Sequence, residues 1–116
     1  MRKSGVRIVN NKLASYFGFC VRSGKIVYGV DEIEKQKKSV FLMVYDSGMG
    51  ASSTRAILKA KEKLGCPLLI ANEGVLSELL HRPSVKAVAI KDNHLAKAIL
   101  SVVSEEPSLK IYGGND

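Results

Sequence analysis

The amino-acid sequence predicts an α/β protein: one three-layer α/β/α sandwich domain over residues 10–103, with a central mixed sheet of four strands. Three observations support this fold class. Segments with helical spacing of apolar residues alternate along the chain with short, strand-length apolar runs. The run from Val40 to Tyr45 is apolar throughout, which is typical of a strand covered on both faces. The length of 116 residues suits a single hydrophobic core.

The chain begins with a basic arm, residues 1–9. Asn10 or Asn11 can then cap a first helix, because an Asn side chain accepts hydrogen bonds from free amides at a helix start. Apolar residues recur every three or four positions until Gly24, where the helix is expected to end. A short strand follows from Lys25 to Tyr28.

The next elements are a helix and the central strand. Gly29 breaks the first strand and opens a helix over Val30–Lys38, with acidic residues in its first turns and lysines at its end. This order of charges suits the helix dipole. Val40–Tyr45 is the buried strand, and Asp46–Ala51 is the loop that leaves it.

The third helix is expected to be capped by Ser52 or Ser53 and to stop at Gly65. A strand from Pro67 to Ala71 follows, and Asn72 begins a fourth helix with an apolar face.

The last predicted elements are a strand over Val85–Ile90 and a fifth helix that runs to Val103, capped by Asp92 or Asn93. Residues 104–116 have no strong pattern, and we expect them to form a loosely ordered C-terminal tail.

The net charge of +7 is concentrated near the start of the chain. Residues 1–38 hold nine Lys or Arg against three acidic residues, whereas the rest of the chain holds nine against eight. A concentrated positive field attracts polyanions and displaces their counterions, so nucleic acid is the first partner to consider. The N-terminal residues lack the apolar run of a secretory signal, and no stretch approaches the ~18 apolar residues of a membrane span. We therefore expect a cytoplasmic protein without a membrane partner.

The residues that commonly do catalysis or bind metals are sparse and scattered. Cys20 and Cys66 lie in hydrophobic segments without a Cys-x-x-Cys pair, and we expect buried reduced thiols. His81 and His94 fall at predicted helix ends, where a histidine is commonly solvated or favoured by the helix dipole. We predict no metal site, no cofactor and no enzyme activity.

The junction Gly29-Val30-Asp31-Glu32, followed by Lys35, joins a strand to a helix start. Free amides there attract phosphate, but the two carboxylates would repel it. A guanine edge fits better, because its N1 and N2 groups donate to a carboxylate while a lysine can reach its acceptors. The alternative is that the acids only stabilise the helix start and that Lys35 is solvated.

Residues 11–103 resemble the ribosomal L-seven-Ae/L-thirty-e kink-turn-binding family, particularly its small bacterial members. The similarity is found in Arg22-Ser-Gly-Lys-Ile-Val-Tyr-Gly, in Asp31-Glu32 with Lys35, in the apolar strand ending at Asp46, in Ser84-Val-Lys-Ala-Val-Ala-Ile, and in Leu95-Ala-Lys-Ala-Ile.

This resemblance implies a monomeric sandwich that binds tandem G·A pairs in a kink-turn of ribosomal or regulatory RNA, in a ribonucleoprotein or on the ribosome. Gly29 and Glu32 would form the core motif together with Val30 and Asp31, and Lys35 would support it. Asp31 stands where the family commonly has Asn, and an ionised Asp cannot donate a hydrogen bond. The remaining expected RNA contacts are Arg82, Pro83, Ser84 and an apolar contact from Val85 in a loop, with Arg22 and Lys25 attracting the phosphate backbone.

The loop Asp46–Ser53 suggests a different class of function. It resembles the phospho-acceptor loop of sugar-phosphotransferase IIB components, which binds phosphate through backbone amides. Those carriers have a nucleophilic Cys directly before the Asp, where this chain has Tyr45. A phosphoryl carrier or small-molecule enzyme using this loop is the alternative function, and a protein-interaction module is a third.

Overall fold

A computed structural model describes residues 11–113, and the predicted α/β/α sandwich is confirmed in them. The basic arm over residues 1–9 lies outside the described residues. The elements in chain order are α1 (Asn11–Ser23), β1 (Ile26–Tyr28), α2 (Val30–Glu34), β2 (Leu42–Asp46), α3 (Ala51–Leu64), β3 (Leu68–Ala71), α4 (Val75–Leu80), β4 (Ala87–Ile90), α5 (Asn93–Val102), a 3-10 turn (Val103–Glu105) and β5 (Leu109–Ile111).

The sheet is mixed and has five strands in the order β1-β4-β2-β3-β5, rather than the four that the sequence predicts. β2 and β3 are parallel, and every other neighbouring pair is antiparallel. All five residues of β2 are buried, because this central strand has a neighbour on each side and helices on both faces. The apolar run at Val40–Tyr45 therefore predicted the buried central strand correctly, although the strand covers Leu42–Asp46.

Each face of the sheet has its own hydrophobic cluster. On one face α1, α4 and α5 pack together around residues such as Phe17, Leu76 and Ile99. On the other face α2 and α3 pack over Met43, with Ile33 and Ile57 buried between the helices and the sheet. Burial of such side chains stabilises the fold by roughly 1.5–3 kcal/mol each.

The predicted loose tail over residues 104–116 is wrong for most of its length. Val103–Glu105 forms a 3-10 turn, and β5 pairs with β3 through Leu109, which lies opposite Ala71. Leu109 is buried, and the carboxylate of Glu106 is buried with the Ser108 hydroxyl donating to it at 2.6 Å. The segment is ordered because the outer edge of β3 offers unpaired backbone groups that a fifth strand satisfies.

Several predicted element boundaries also differ. α2 ends at Glu34 instead of Lys38, and β4 begins at Ala87 instead of Val85. The N-cap of α3 is Gly50, so neither Ser52 nor Ser53 caps that helix. α4 starts at Val75 with Gly74 as its N-cap, not at Asn72. The predicted cap of α5 is confirmed, because the Asp92 carboxylate accepts a hydrogen bond from the Leu95 amide at 2.9 Å.

Candidate functional site

The sheet brings the predicted recognition residues to a single edge. β1, β2 and β3 all end there and β4 begins there, since Tyr28 lies opposite Val88, Tyr45 opposite Ala87, and Asp46 opposite Ala71. We call it the carboxyl edge. It carries the Gly29 turn, the loop after β2, the turn before α4 and the loop before β4. Parallel strands commonly bind ligands at their carboxyl ends, because the loops that follow converge there.

Gly29 makes the sharp turn from β1 into α2. Its φ of 89° lies in the region that favours glycine, and open space surrounds the position of a Cβ, so the backbone conformation alone requires glycine here. Its amide donates to the Ala87 carbonyl at 2.9 Å, and its carbonyl accepts from the Ile33 amide at 3.0 Å. The fully buried Ile33 anchors the short helix. The start of α2 is therefore held against β4.

Glu32 of α2 and Lys35, the residue that caps the end of this helix, form an exposed ion pair. The Lys35 Nζ lies 3.2 Å from Glu32 Oε2, and the two side chains are 70% and 58% exposed. Asp31 and Gly29 are exposed beside them, and Val30 is half-buried. The pair sets a strong hydrogen-bond acceptor next to a strong donor, both reachable by a ligand. Such an arrangement can bind a planar group that itself carries donors and acceptors along one edge.

The loop before β4 lies beside this turn. The guanidinium carbon of Arg82 is 4.0 Å from the centroid of the Tyr28 ring, and Tyr28 directly precedes Gly29. Arg82, Pro83 and Ser84 are exposed. The stacking holds the Arg82 cation over the end of β1, the strand that leads into α2. The structure therefore brings two predicted groups together, the Arg82 loop and the Gly29 turn.

Ser77 closes this loop at both ends. The Ser77 hydroxyl accepts from the Val85 amide at 3.1 Å and donates to the Val85 carbonyl at 3.4 Å, while the Ser77 carbonyl accepts from the Arg82 amide at 3.0 Å. Within the loop His81 and Ser84 have positive φ values of 52° and 63°. Non-glycine residues adopt such conformations only where the surrounding structure holds them, so the loop is preorganised.

Three of the predicted RNA contacts, Val85, Lys25 and Arg22, are not exposed beside the Gly29 turn. Val85 is only 8% exposed and its side chain belongs to the hydrophobic core, whereas an apolar contact to RNA was expected from it. Lys25 and Arg22 are exposed but lie at the opposite end of β1 from Gly29, roughly 13 Å away for Lys25 by strand rise. Arg22 stacks on Phe19 of its own helix, with its guanidinium carbon 4.8 Å from the ring centroid. Arg22 and Lys25 therefore do not lie on the surface beside the Gly29 turn.

The loop after β2 lies at the same carboxyl edge, but its acid is already occupied. The Asp46 carboxylate is 1% exposed and accepts from the Gly48 amide at 2.6 Å and the Gly74 amide at 3.0 Å. The Lys86 Nζ lies 3.9 Å from it. Tyr45 is buried as well, and burial raises the pKa of its phenol. Asp46 therefore ties three loops together.

The two cysteines and two histidines do not form a site. Cys20 and Cys66 are buried free thiols, as expected, and burial raises the pKa of Cys20 to about 11 with a smaller contribution from the charge of Asp92. His81 is the C-cap of α4, and His94 is exposed near the start of α5. Within residues 11–113 no cluster of His, Cys, Asp or Glu could hold a metal ion. None of the helices between those limits is long and apolar enough to span a membrane.

Sequence reasoning missed two residues that shape the site, Tyr28 and Ser77. Tyr28 could have been found from the sequence, because an aromatic residue directly before the Gly29 turn must lie next to the candidate site. Nothing in the sequence indicates the role of Ser77, because only the fold of α4 and the following loop brings it to Val85.

Comparison with known proteins supports the fold and assigns no function. No family model matches the chain, and no curated protein matches it. Among solved structures, one described as a protein with unknown function from Bacillus halodurans C is similar, with a TM-score of 0.71 and 16% sequence identity over 82% of this chain and 99% of that chain. At this identity the likeness concerns the fold alone.

Proposed function

We propose that the protein binds structured RNA and recognises guanine edges exposed at a kink-turn or a similar bend, as the kink-turn-binding family does. The observation that supports this best is the exposed Glu32–Lys35 pair at the carboxyl edge, next to the Arg82 loop. On a basic surface that attracts RNA, an accessible carboxylate can accept hydrogen bonds from donors on the edge of a base. Guanine N1 and N2 are such donors.

The ion pair is readily exchanged for contacts to RNA. An exposed pair of this kind contributes about 0–1 kcal/mol to stability, so its separation costs little. The carboxylate of Glu32 then accepts from the guanine, and the ammonium of Lys35 turns to a base acceptor or a phosphate oxygen. A good base contact contributes roughly 1–3 kcal/mol of discrimination.

The shape of the RNA decides which guanines can be reached. The major groove of a regular A-form helix is too narrow for side chains to read, so the target must be opened by a bend, a bulge or G·A pairs. The preorganised Arg82–Ser84 loop already holds a cation beside the turn, so little further ordering is needed when that cation binds a phosphate of the bent RNA. The proposed partners are ribosomal or regulatory RNAs in the cytoplasm, bound by a monomer.

The test measures affinity for a kink-turn RNA and for a control RNA in which Watson–Crick pairs replace the G·A pairs, at several salt concentrations. We expect the parent protein to bind the kink-turn RNA more tightly, and Glu32→Ala and Lys35→Ala each to weaken that binding by roughly 1–3 kcal/mol. Equal affinity for the two RNAs with a steep salt dependence would mean charge attraction alone and would refute the proposal.

Two matched variants control for the change of charge. Glu34→Ala removes an exposed acid from the same short helix, and Lys97→Ala removes an exposed lysine from α5 on the opposite face of the sheet. Both should bind the kink-turn RNA within about 0.5 kcal/mol of the parent. If Glu34→Ala weakened binding as much as Glu32→Ala, the effect would belong to the helix and not to base recognition.

A further inference from the structure

A second basic surface lies on α3. Residues 35–64 hold seven Lys or Arg against two acidic residues, while the rest of the chain holds eleven against nine. Arg55, Lys59 and Lys63 follow one another at four-residue intervals, which places them along one side of α3. All three are exposed, whereas Ile57 and Ala60 are buried against the sheet. We call Arg55, Lys59 and Lys63 the α3 stripe.

The α3 stripe runs beside the helix that carries Glu32. The Lys63 Nζ donates to the Glu34 carbonyl at 2.9 Å, which ties the far end of the stripe to the end of α2. α2 and α3 pack on the same face of the sheet, and both begin at the carboxyl edge. The nine residues from Arg55 to Lys63 extend about 12 Å along the helix axis. The stripe is therefore continuous with the proposed recognition surface.

The cations of this stripe are not neutralised by the protein. Within residues 11–113 the ion pairs are Glu32 with Lys35 and Asp46 with Lys86, so Arg55 and Lys59 have no carboxylate within 4.0 Å. Lys37 and Lys38, which follow α2, are exposed and add to the same positive field. A row of cations without carboxylate partners, spaced about 6 Å apart, suits a polyanion with regularly spaced charges.

We propose that the α3 stripe binds the phosphate backbone of an RNA stem that leaves the kinked element held at Glu32. This inference rests on the proposed function and extends it from the bend to one of its flanking stems. RNA is favoured over other polyanions because the stripe continues from a base-reading surface. Contacts to phosphates position the RNA without reading its sequence, so the stripe adds affinity and orientation.

The experiment compares the parent with an Arg55→Gln/Lys59→Gln variant; Lys63 is kept because it bonds to α2. A Lys97→Gln/Lys110→Gln variant, which removes two exposed lysines outside α2 and α3, is the matched control. Binding is measured at several salt concentrations to a kink-turn RNA with long stems, to the same RNA with both stems cut short, and to the Watson–Crick control. Circular dichroism and thermal melting establish that the variants fold like the parent.

We expect the stripe variant to lose roughly tenfold in affinity for the long-stem RNA and to reduce the salt slope by about 1.4–1.8, the loss of two phosphate contacts. The short-stem RNA should bind parent and variant alike. An unchanged affinity and slope on the long-stem RNA would overturn the inference and leave the proposed function intact. An equal loss in the lysine control variant would also overturn it. If the parent binds kinked and Watson–Crick RNAs alike, the proposed function fails and this inference fails with it.

Discussion

The guanidinium carbon of Arg82 lies 4.0 Å from the centroid of the Tyr28 ring. These residues are far apart in the chain, and their contact joins the loop before β4 to the strand that leads into α2. It fixes an exposed cation next to the Gly29 turn. Replacing either residue therefore tests directly whether this contact contributes to binding.

Replacing Tyr28 by Leu should release Arg82 and weaken binding to the kink-turn RNA by roughly 1 kcal/mol, the scale of a cation–π contact. Tyr28→Phe keeps an aromatic face and should bind like the parent. Isothermal titration calorimetry on both variants makes the comparison. Equal affinities for the Leu and Phe variants would show that the stacking does not contribute to binding.

Replacing Ser77 by Ala should loosen the preorganised loop. The Val85 amide loses its acceptor, and leaving such a group unsatisfied costs roughly 1–3 kcal/mol of unfolding free energy. Ser101→Ala is the matched control, because the Ser101 hydroxyl donates to a carbonyl within its own exposed helix turn. Urea unfolding gives the stability, and hydrogen exchange at the Val85 amide should speed up only in the Ser77 variant. Exchange at the parent's rate would contradict this role of Ser77.

Because β5 is ordered, substitutions at two neighbouring residues of this strand should differ clearly in their effect on the free energy of unfolding. Leu109→Ala should lower the free energy of unfolding by roughly 2–4 kcal/mol, since the side chain is buried. Lys110→Ala, on the same strand but exposed, should change it by no more than about 0.5 kcal/mol. Chemical denaturation measures both, and a small effect of Leu109→Ala would mean that β5 is only loosely attached.

The buried Cys20 thiol predicts a loss of stability in alkaline solution. Burial raises its pKa from the usual 9.0 to about 11, so the unfolded chain releases this proton at lower pH than the folded chain does. Below pH 9 both states hold the proton, and the group has no effect on stability. Between about pH 9 and 11 the free energy of unfolding should fall, by roughly 2–3 kcal/mol in total.

The measurement is urea unfolding across that pH range for the parent and for Cys20→Ala. The variant should be less stable at pH 7 because it leaves a small cavity, but its stability should fall less steeply above pH 9. Parallel pH profiles for the two proteins would contradict the assignment to Cys20.

The order of helices and strands could be read from the sequence because it depends on local patterns. The apolar run at Val40–Tyr45 predicted the buried central strand, and Asp92 was predicted among the caps of α5. The turn at Gly29 followed from a glycine between a strand pattern and a helix pattern. The Glu32–Lys35 pair could also be anticipated, since side chains three positions apart meet on a helix.

The fifth strand could not be predicted in the same way. Leu109–Ile111 is only three residues long and shows no more periodicity than a loop. It becomes a strand because β3 offers a free edge, and that edge exists only after the other strands have assembled. Val85 was expected both to begin a strand and to offer an apolar contact to RNA; in the structure its backbone bonds to Ser77 and its side chain lies in the core.

The sequence by itself determined the α/β/α class, the positive charge and the residues of the Gly29–Lys35 turn, because periodicity, capping and charge act between near neighbours in the chain. Only the tertiary structure decided that Arg82 stacks on Tyr28, that Ser77 closes the loop, that Lys63 reaches the end of α2, and that Arg22 and Lys25 lie at the far end of β1. Those relationships depend on which strands pair and in what register. Strand pairing depends on burial and hydrogen bonding between segments that are distant in the chain, which short-range patterns alone do not specify.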